Sequence, residues 1–409
     1  MPDARRRTVV LLGTLDTKGV EYDYVRDQVR EHGVDVVLID AGILGEPLAV
    51  PDVTREEVAA AAGAEVGALA AAGDRGAAVA AMADGASVVV SRLHAEGRLD
   101  GILGLGGSGN SAIVTQAMRA LPIGVPKLMV STLASGDTRP YVGAVDIAMM
   151  YSVVDISGVN RISARILTNA AGMIAGAALA TTGDTGAGKP LIAASMFGVT
   201  TQSVTVARER LEELGYEVLV FHATGAGGLS LEALAKDGFL AGVLDITTTE
   251  LADDLVGGVL SAGPDRLEAA GSVGLPQVVS LGALDMVNFG PLESVPERFG
   301  ERNLYVHNPT VTLMRTTPEE CRELGRRIGR KLSAATGPVA LFVPLRGVSA
   351  IAVEGQVFHD AEADAALVEG LRETLAANVE VHEEDADVND PSFAIAMADR
   401  LHAMIGEHA

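Results

Sequence analysis

Three stretches in the first half place small, hydroxylic and charged residues in the order that phosphate recognition uses. The first is Gly13-Thr14-Leu15-Asp16-Thr17-Lys18-Gly19, which closes the apolar run Thr8–Gly13. Thr14 and Thr17 can donate hydroxyl hydrogen bonds to phosphate oxygens, Lys18 supplies charge, and Asp16 is placed to hold a metal ion. A plain helix cap by Asp16 or Thr17 is the competing explanation, but a cap needs neither the lysine nor both glycines. The second stretch, Gly104-Leu105-Gly106-Gly107-Ser108-Gly109-Asn110-Ser111, has the spacing G-x-G-x-x-G. Bare backbone there lets a ligand come close, and successive N–H groups form a nest for an anion. The third is Ser131-Thr132-Leu133-Ala134-Ser135-Gly136. Its hydroxyls converge with the second loop if the preceding strands are neighbours. The expected ligand contacts are therefore Gly13, Thr14, Asp16, Thr17 and Lys18, then Gly106, Gly107, Ser108, Gly109 and Asn110, then Ser131, Thr132, Ser135 and Gly136.

Two alternative signals are weaker. Gly183 to Lys189 fits G-x-x-x-x-G-K, but Pro190 stands where a Ser or Thr would bind magnesium. The stretch also precedes a strand instead of following one, so it is not a phosphate loop of that kind. A dinucleotide site would place an acid about 20 residues beyond the glycines. The strand in that position ends Val130-Ser131-Thr132-Leu133, without one. Phosphate binding fits better than NAD, although Asp40, ending an earlier run, keeps a nicotinamide dehydrogenase as a lesser alternative.

In the second half, His222, Asp245, Glu250, Asp285 and His307 lie at or just past apolar runs. A neutral histidine can take a proton from a substrate hydroxyl, and a carboxylate can orient it or hold magnesium. These five are the candidate catalytic residues. Helix capping and satisfaction of buried backbone would explain the same residues without chemistry.

The elements that must position these loops are legible as short apolar runs alternating with helical patterns, the mark of βαβ units. The first-half runs are Thr8–Gly13, Val34–Asp40, Gly101–Leu105 and Pro126–Ser131. After the turn-rich stretch 183–190 the pattern restarts with Leu191–Phe197, Glu217–Phe221, Gly242–Asp245, Gln277–Leu281, Asn303–His307, Val339–Val343 and Val379–His382. This predicts an α/β protein of two Rossmann-like subdomains, each a mostly parallel sheet flanked by helices. Residues 1–182 form the nucleotide-binding domain, 183–190 the linker and 191–409 the second domain, with a cleft between the two. Parallel sheets bind ligands at the carboxyl ends of their strands, where all these loops fall.

Composition agrees with a globular chain: 48% hydrophobic and 21% charged residues over a length that favours two cores. The formal net charge of -23 repels nucleic acid and anionic membrane surfaces. A phosphorylated ligand must then be held by local N–H groups, a few cations and a metal. One cysteine, Cys321, excludes an intrachain disulfide, and its helical setting reads as packing. The amino-terminal apolar run is too short for a signal segment, so a cytoplasmic protein is expected.

Taken together, GTLDTKG, GLGGSGN, STLASGD, MMYSVVDISGVNRIS, MFGVTT, VFHATGAGG, LDITTTEL, GALDMVNFG, HNPTVTLMRT and HEEDADVNDPSFA resemble one protein family. It is the uncharacterised bacterial and fungal family 0261, whose plant relatives form the N-terminal ATP-binding region of the tomato mosaic virus resistance protein. The resemblance implies two Rossmann-like subdomains, nucleotide binding and a homodimer. The apolar segment Ile147–Tyr151, rich in methionine, is the candidate dimer contact, with a buried strand or helix as the alternative. The plant proteins carry a further barrel resembling phosphoenolpyruvate-utilising enzymes, which hints at small carboxylic acids and gives no reason to transfer an antiviral role. The expected function is an ATP- and Mg2+-dependent enzyme acting on a small polar metabolite, carboxylate or sugar-acid-like, in the cleft. A nucleotide-binding regulatory protein without turnover is the alternative.

Overall fold

The computed structural model describes residues 5–180 and 188–408. The chain divides into two compact units, Met1–Thr185 and Gly186–Ala409. Most of the expected linker, and with it most of the rejected G-x-x-x-x-G-K stretch, lies outside the described residues.

Unit 1 runs β1 (Thr8–Gly13), α1 (Leu15–Glu31), β2 (Asp35–Asp40), α2 (Arg55–Ala61), α3 (Val66–Ala72) and α4 (Arg75–Ala95). It continues β3 (Gly101–Gly106), α5 (Ser108–Arg119), β4 (Lys127–Ser131), α6 (Arg139–Val142), β5 (Ile147–Tyr151) and α7 (Arg161–Leu179). The five strands are parallel in the order β2-β1-β3-β4-β5. Val10 and Leu12 of β1 face a core built with Met82, Val89, Ile113 and Val114 of α4 and α5. Val9 and Leu11 face Tyr22, Val25, Leu167 and Ile174 of α1 and α7. Both sheet faces are thus covered, which is why the strands read as unbroken apolar runs. Helices α4 and α7 are long and apolar enough to cross a membrane by composition alone, yet each packs one face on this sheet. They are core helices. The Ile147–Tyr151 segment is an edge strand, with Met149 and Met150 half-buried and Tyr151 exposed.

Unit 2 runs β6 (Leu191–Met196), α8 (Thr201–Glu213), β7 (Glu217–His222), α9 (Ala226–Lys236), β8 (Leu240–Thr247), α10 (Glu250–Val256) and α11 (Ala269–Ser272). Next come β9 (Gln277–Gly282), β10 (Met286–Phe289), β11 (Leu304–Asn308), β12 (Val311–Arg315) and α12 (Pro318–Ser333). It ends β13 (Val339–Pro344), α13 (Ala361–Thr374), β14 (Val379–Glu384) and α14 (Pro391–His408). Six parallel strands take the order β14-β13-β9-β8-β6-β7. From its first strand outward, unit 2 therefore repeats the winding of unit 1 and adds one strand. The two units are each Rossmann-like.

One departure concerns Asn303–His307, expected among the parallel strands. Its strand β11 belongs instead to a separate three-stranded antiparallel sheet, β10-β12-β11. Asn308 makes the turn to β12, its Oδ1 accepting from Thr310 N and Oγ1 at 2.9 Å each. An Asn-Pro-Thr turn of this kind favours a hairpin over a crossover. Cys321 sits in the unit 2 core on α12, and burial pushes its thiol up to about 11.

Candidate functional site

An open parallel sheet forms a crevice where the strand order reverses, because the connections on either side depart to opposite faces. In unit 1 that point lies between β1 and β3. A cavity of about 560 Å³ opens there, within the range of small-ligand sites, and unit 1 supplies all its walls.

The loop after β1 contributes Thr14, Asp16, Thr17 and Lys18, and the loop after β3 contributes Gly107, Ser108, Gly109 and Asn110. Helix α5 starts at Ser108 with Gly107 at the capping position, so no side chain caps its first N–H groups. They are open to an anion, and the helix dipole favours one. A Cβ on Gly107 would find no protein atom nearer than 3.7 Å, so the space over the cradle is vacant of protein. The opposite wall carries Arg75, the first residue of α4. Its Nη2 lies 3.5 Å from where a Cβ on Gly109 would stand, and it has no carboxylate partner among the described residues. Lys18 donates from Nζ to the Ile156 carbonyl. Asp16 Oδ2 accepts from Leu44 N at 3.0 Å, while its buried Oδ1 has no partner. The remaining wall is apolar, with Ile43, Leu44, Leu69, Val79 and Met82.

Neither Asp16 nor Thr17 caps α1. Asp40 does that from the next strand, its Oδ1 accepting from Leu15 N at 3.0 Å and Gly42 N at 2.8 Å. Its Oδ2 accepts from Arg55 Nε at 2.7 Å, and the residue is 1% exposed. Asp40 is thereby committed to the fold, which removes the ribose acid that the dehydrogenase alternative required.

Beneath the cavity floor, Tyr22 ties β1 to β3. Its hydroxyl accepts from Leu105 N at 2.9 Å and Asn110 Nδ2 at 3.1 Å and donates to the Leu12 carbonyl. Gly13 is required here, since a Cβ would stand 2.0 Å from the Tyr22 oxygen. Gly106 is required likewise, 2.7 Å from Asn110 Cβ. These two glycines shape the floor and do not line the cavity. In the third loop, Ser131 is fully buried, bonded to Ser111 Oγ at 2.8 Å and Leu133 N at 3.0 Å. Thr132 lies beside Gly107, but Thr132, Ser135 and Gly136 are not among the cavity walls.

The second-half candidates are not gathered into one open site. Asp245 and Glu250 are buried on Arg266, itself 0% exposed. Arg266 donates to Asp245 at 2.5 and 2.7 Å, to Glu250 at 2.7 Å and to Glu232 at 3.2 Å. Glu250 Oε1 also accepts from Gly225 N at 2.7 Å and Gly228 N at 3.0 Å, so the glycine loop after β7 is filled by the protein's own carboxylate. Burial raises the Glu250 pKa, opposed by Arg266 and these N–H groups. Glu232 accepts from Leu267 N and Ala269 N, each at 2.7 Å. Asp285 is buried on Ser349 Oγ at 2.8 Å, and desolvation lifts it to about 6. His222 is exposed and stacks on Phe197 with ring centroids 5.4 Å apart. His307 is exposed on the antiparallel hairpin and belongs to no parallel strand. Unit 2 thus satisfies its glycine loop internally, whereas unit 1 leaves its own open.

Sequence reasoning missed Arg75, Tyr22 and Asp155, which also lines the cavity. Asp74 before Arg75 was the available signal, since it caps α4 through Ala77 N at 3.0 Å. A capping acid marks a helix start, and helix starts in such sheets crowd the ligand crevice.

No group of three or more His, Cys, Asp or Glu that could hold a metal occurs among the described residues. Asp16 fits a Mg2+ ion carried on phosphate, which takes one or two carboxylates and keeps its waters.

Comparison with known proteins places the chain. The Uncharacterised protein family (UPF0261) N-terminal domain matches residues 7–183 and its C-terminal domain residues 189–405. The chain is 54% identical over 404 residues to a UPF0261 protein of Clostridium tetani, covering 98% of this chain and 99% of that one. It is 43% identical over 311 residues to the ToMV resistance protein Tm-1(GCR237) of Solanum lycopersicum, covering 74% of this chain and 41% of the tomato protein. Among solved structures, UDP-N-acetylglucosamine 2-epimerase from Rickettsia bellii aligns at 12% identity over 67% of this chain and 79% of its own, with a TM-score of 0.23. That likeness is too distant to carry an argument. Matched through both halves and along almost all of its length, the chain belongs to the UPF0261 family.

Proposed function

We propose that unit 1 binds the phosphates of ATP, accompanied by Mg2+, in the crevice between β1 and β3. The observation that carries this reading is the uncapped N-terminus of α5 facing Arg75, a cation without a carboxylate partner among the described residues, across a cavity of nucleotide size. Such a helix end is an anion site by construction. The apolar wall of Ile43, Leu69 and Met82 suits a base, and Thr14, Thr17 and Lys18 stand ready beside the phosphates. The cavity carries Asp16, Asp74 and Asp155 against Lys18 and Arg75. A triphosphate entering so acidic a protein needs a counterion. Mg2+ held by Asp16 and the phosphates would neutralise charge on the oxygens it touches.

We further propose a cytoplasmic homodimer that turns ATP over on a small polar metabolite. The edge position of β5 and its exposed Tyr151 support the dimer, and a monomeric mass by light scattering would end it. With Asp245 and Glu250 bound to Arg266, a nucleotide-binding regulatory protein without turnover gains ground. A phosphate-release assay across a metabolite panel separates the two.

The binding claim is tested by calorimetry on Arg75→Ala. Loss of a charge-assisted hydrogen bond should weaken ATP by about 1.5–3 kcal/mol, while Arg92→Ala, on the same helix, leaves it unchanged. Equal affinity in Arg75→Ala and wild type, or tighter binding of NAD than ATP, would reject this site.

A further inference from the structure

The amide of Asn110 is locked in one orientation. The Leu105 carbonyl, which can only accept, faces one end of the amide, so that end must be Nδ2. The same Nδ2 donates to the Tyr22 oxygen at 3.1 Å. Tyr22 cannot relax this arrangement, because its oxygen also takes Leu105 N at 2.9 Å and its proton goes to the Leu12 carbonyl. Asn110 Oδ1 is therefore turned away from this network. Asn110 borders the cavity and is 6% exposed, and its Oδ1 is buried with no hydrogen-bond partner. Buried polar atoms in native proteins are almost always paired, so an unpaired acceptor on a residue that lines the crevice calls for a donor that arrives with the ligand as the side chain settles onto it.

A phosphate group at neutral pH offers only acceptors. The first turn of α5 thus combines N–H groups, which want an anion, with one fixed acceptor, which wants a donor. We infer that Asn110 Oδ1 accepts a hydroxyl of the ligand, and that the crevice selects phosphates carried on a ribose over bare polyphosphates and over deoxyribonucleotides. The inference rests on the phosphate site proposed above and adds the class of its ligand. Asn110 is the specificity-determining residue, and Tyr22 is the positioning residue that holds its amide.

The test is calorimetry of wild-type protein with Mg2+ and four probes: ATP, 2′-deoxy-ATP, 3′-deoxy-ATP and inorganic tripolyphosphate. At least one deoxy analogue should bind about 5- to 100-fold more weakly than ATP, the range for leaving a buried acceptor unpaired, and tripolyphosphate should bind more weakly still. In Asn110→Ala the ratio of ATP to that analogue should fall toward one. In Tyr22→Phe it should fall only partway, because the amide loses one of its two Nδ2 acceptors and keeps the Leu105 carbonyl; a merely structural tyrosine would lower the melting temperature and leave the ratio alone. Equal binding of ATP and both deoxy analogues to wild type overturns the hydroxyl inference and leaves the phosphate site standing. Discrimination that survives Asn110→Ala overturns the assignment to Asn110. No binding of ATP or tripolyphosphate overturns both the inference and the site beneath it. The wild-type comparison decides even if a variant fails to fold.

Discussion

Replacing Arg266 by Met removes the charge at the centre of unit 2 while keeping most of the side-chain volume. The structure says which groups then suffer. Glu250 keeps the Gly225 and Gly228 N–H groups, and Glu232 keeps three N–H donors at the start of α11. Asp245 keeps only Ser195 Oγ at 2.6 Å, at 1% exposure. Breaking a buried ion pair from one side costs about 3–5 kcal/mol, mostly from the charge left behind. At roughly 2–4 °C per kcal/mol for a unit of this size, the melting temperature should drop by about 6–20 °C. Differential scanning calorimetry is the assay, and the lost stability should appear in the unit 2 transition. Adding Asp245→Asn should return part of it, since the stranded charge goes too. A transition within about 2 °C of wild type would refute this account of the cluster and return Asp245 and Glu250 to the catalytic candidates.

Asp253 gives a pH signature. Desolvation lifts it from 3.8 to about 7, with Asn288 Nδ2 at 2.6 Å and Asn288 N at 3.0 Å opposing the shift. An acid raised in the folded state costs stability as pH climbs from about 4 to about 7, here by up to about 4 kcal/mol. Asp253→Asn should flatten that slope in urea melts, because a flipped Asn288 amide can accept through its unpaired Oδ1; an unchanged slope would point to another group. Gly109→Ala should act with opposite signs on stability and binding. A Cβ there meets only the Arg75 guanidinium at 3.5 Å, so α5 should gain about 0.5–1 kcal/mol of helix propensity while ATP affinity falls, as thermal melts with and without ATP will show.

The phosphate loops were legible because each couples an apolar run to a glycine-rich turn and a helix start, and the strand order then sets them side by side. Thr8–Gly13 is β1 to the residue, and Ser108 begins α5 within the loop that the glycines announced. What sequence could not give was direction. Asp245 and Glu250 follow a strand as expected, but they turn inward to Arg266, which lies in a stretch, Gly263-Pro264-Asp265-Arg266, without periodicity. Arg75 faces the glycine loop only because α4 and α5 share one face of the sheet. The fixed amide of Asn110 depends on Tyr22, whose hydroxyl reaches back to β1 from the second turn of α1. His307 was misplaced for a different reason, the Asn308-Pro309-Thr310 turn that converts a crossover into a hairpin.

Calorimetric titration of ATP and Mg2+ into wild type and Gly107→Val tests the central claim most directly. A Cβ at position 107, where φ is -91°, meets no protein atom nearer than 3.7 Å, and a branched side chain there should crowd the first N–H groups of α5. The account predicts micromolar-class binding to wild type, no detectable binding to Gly107→Val, and ligand-free melting temperatures that agree within about 3 °C. Equal ATP affinity in the two proteins would contradict it.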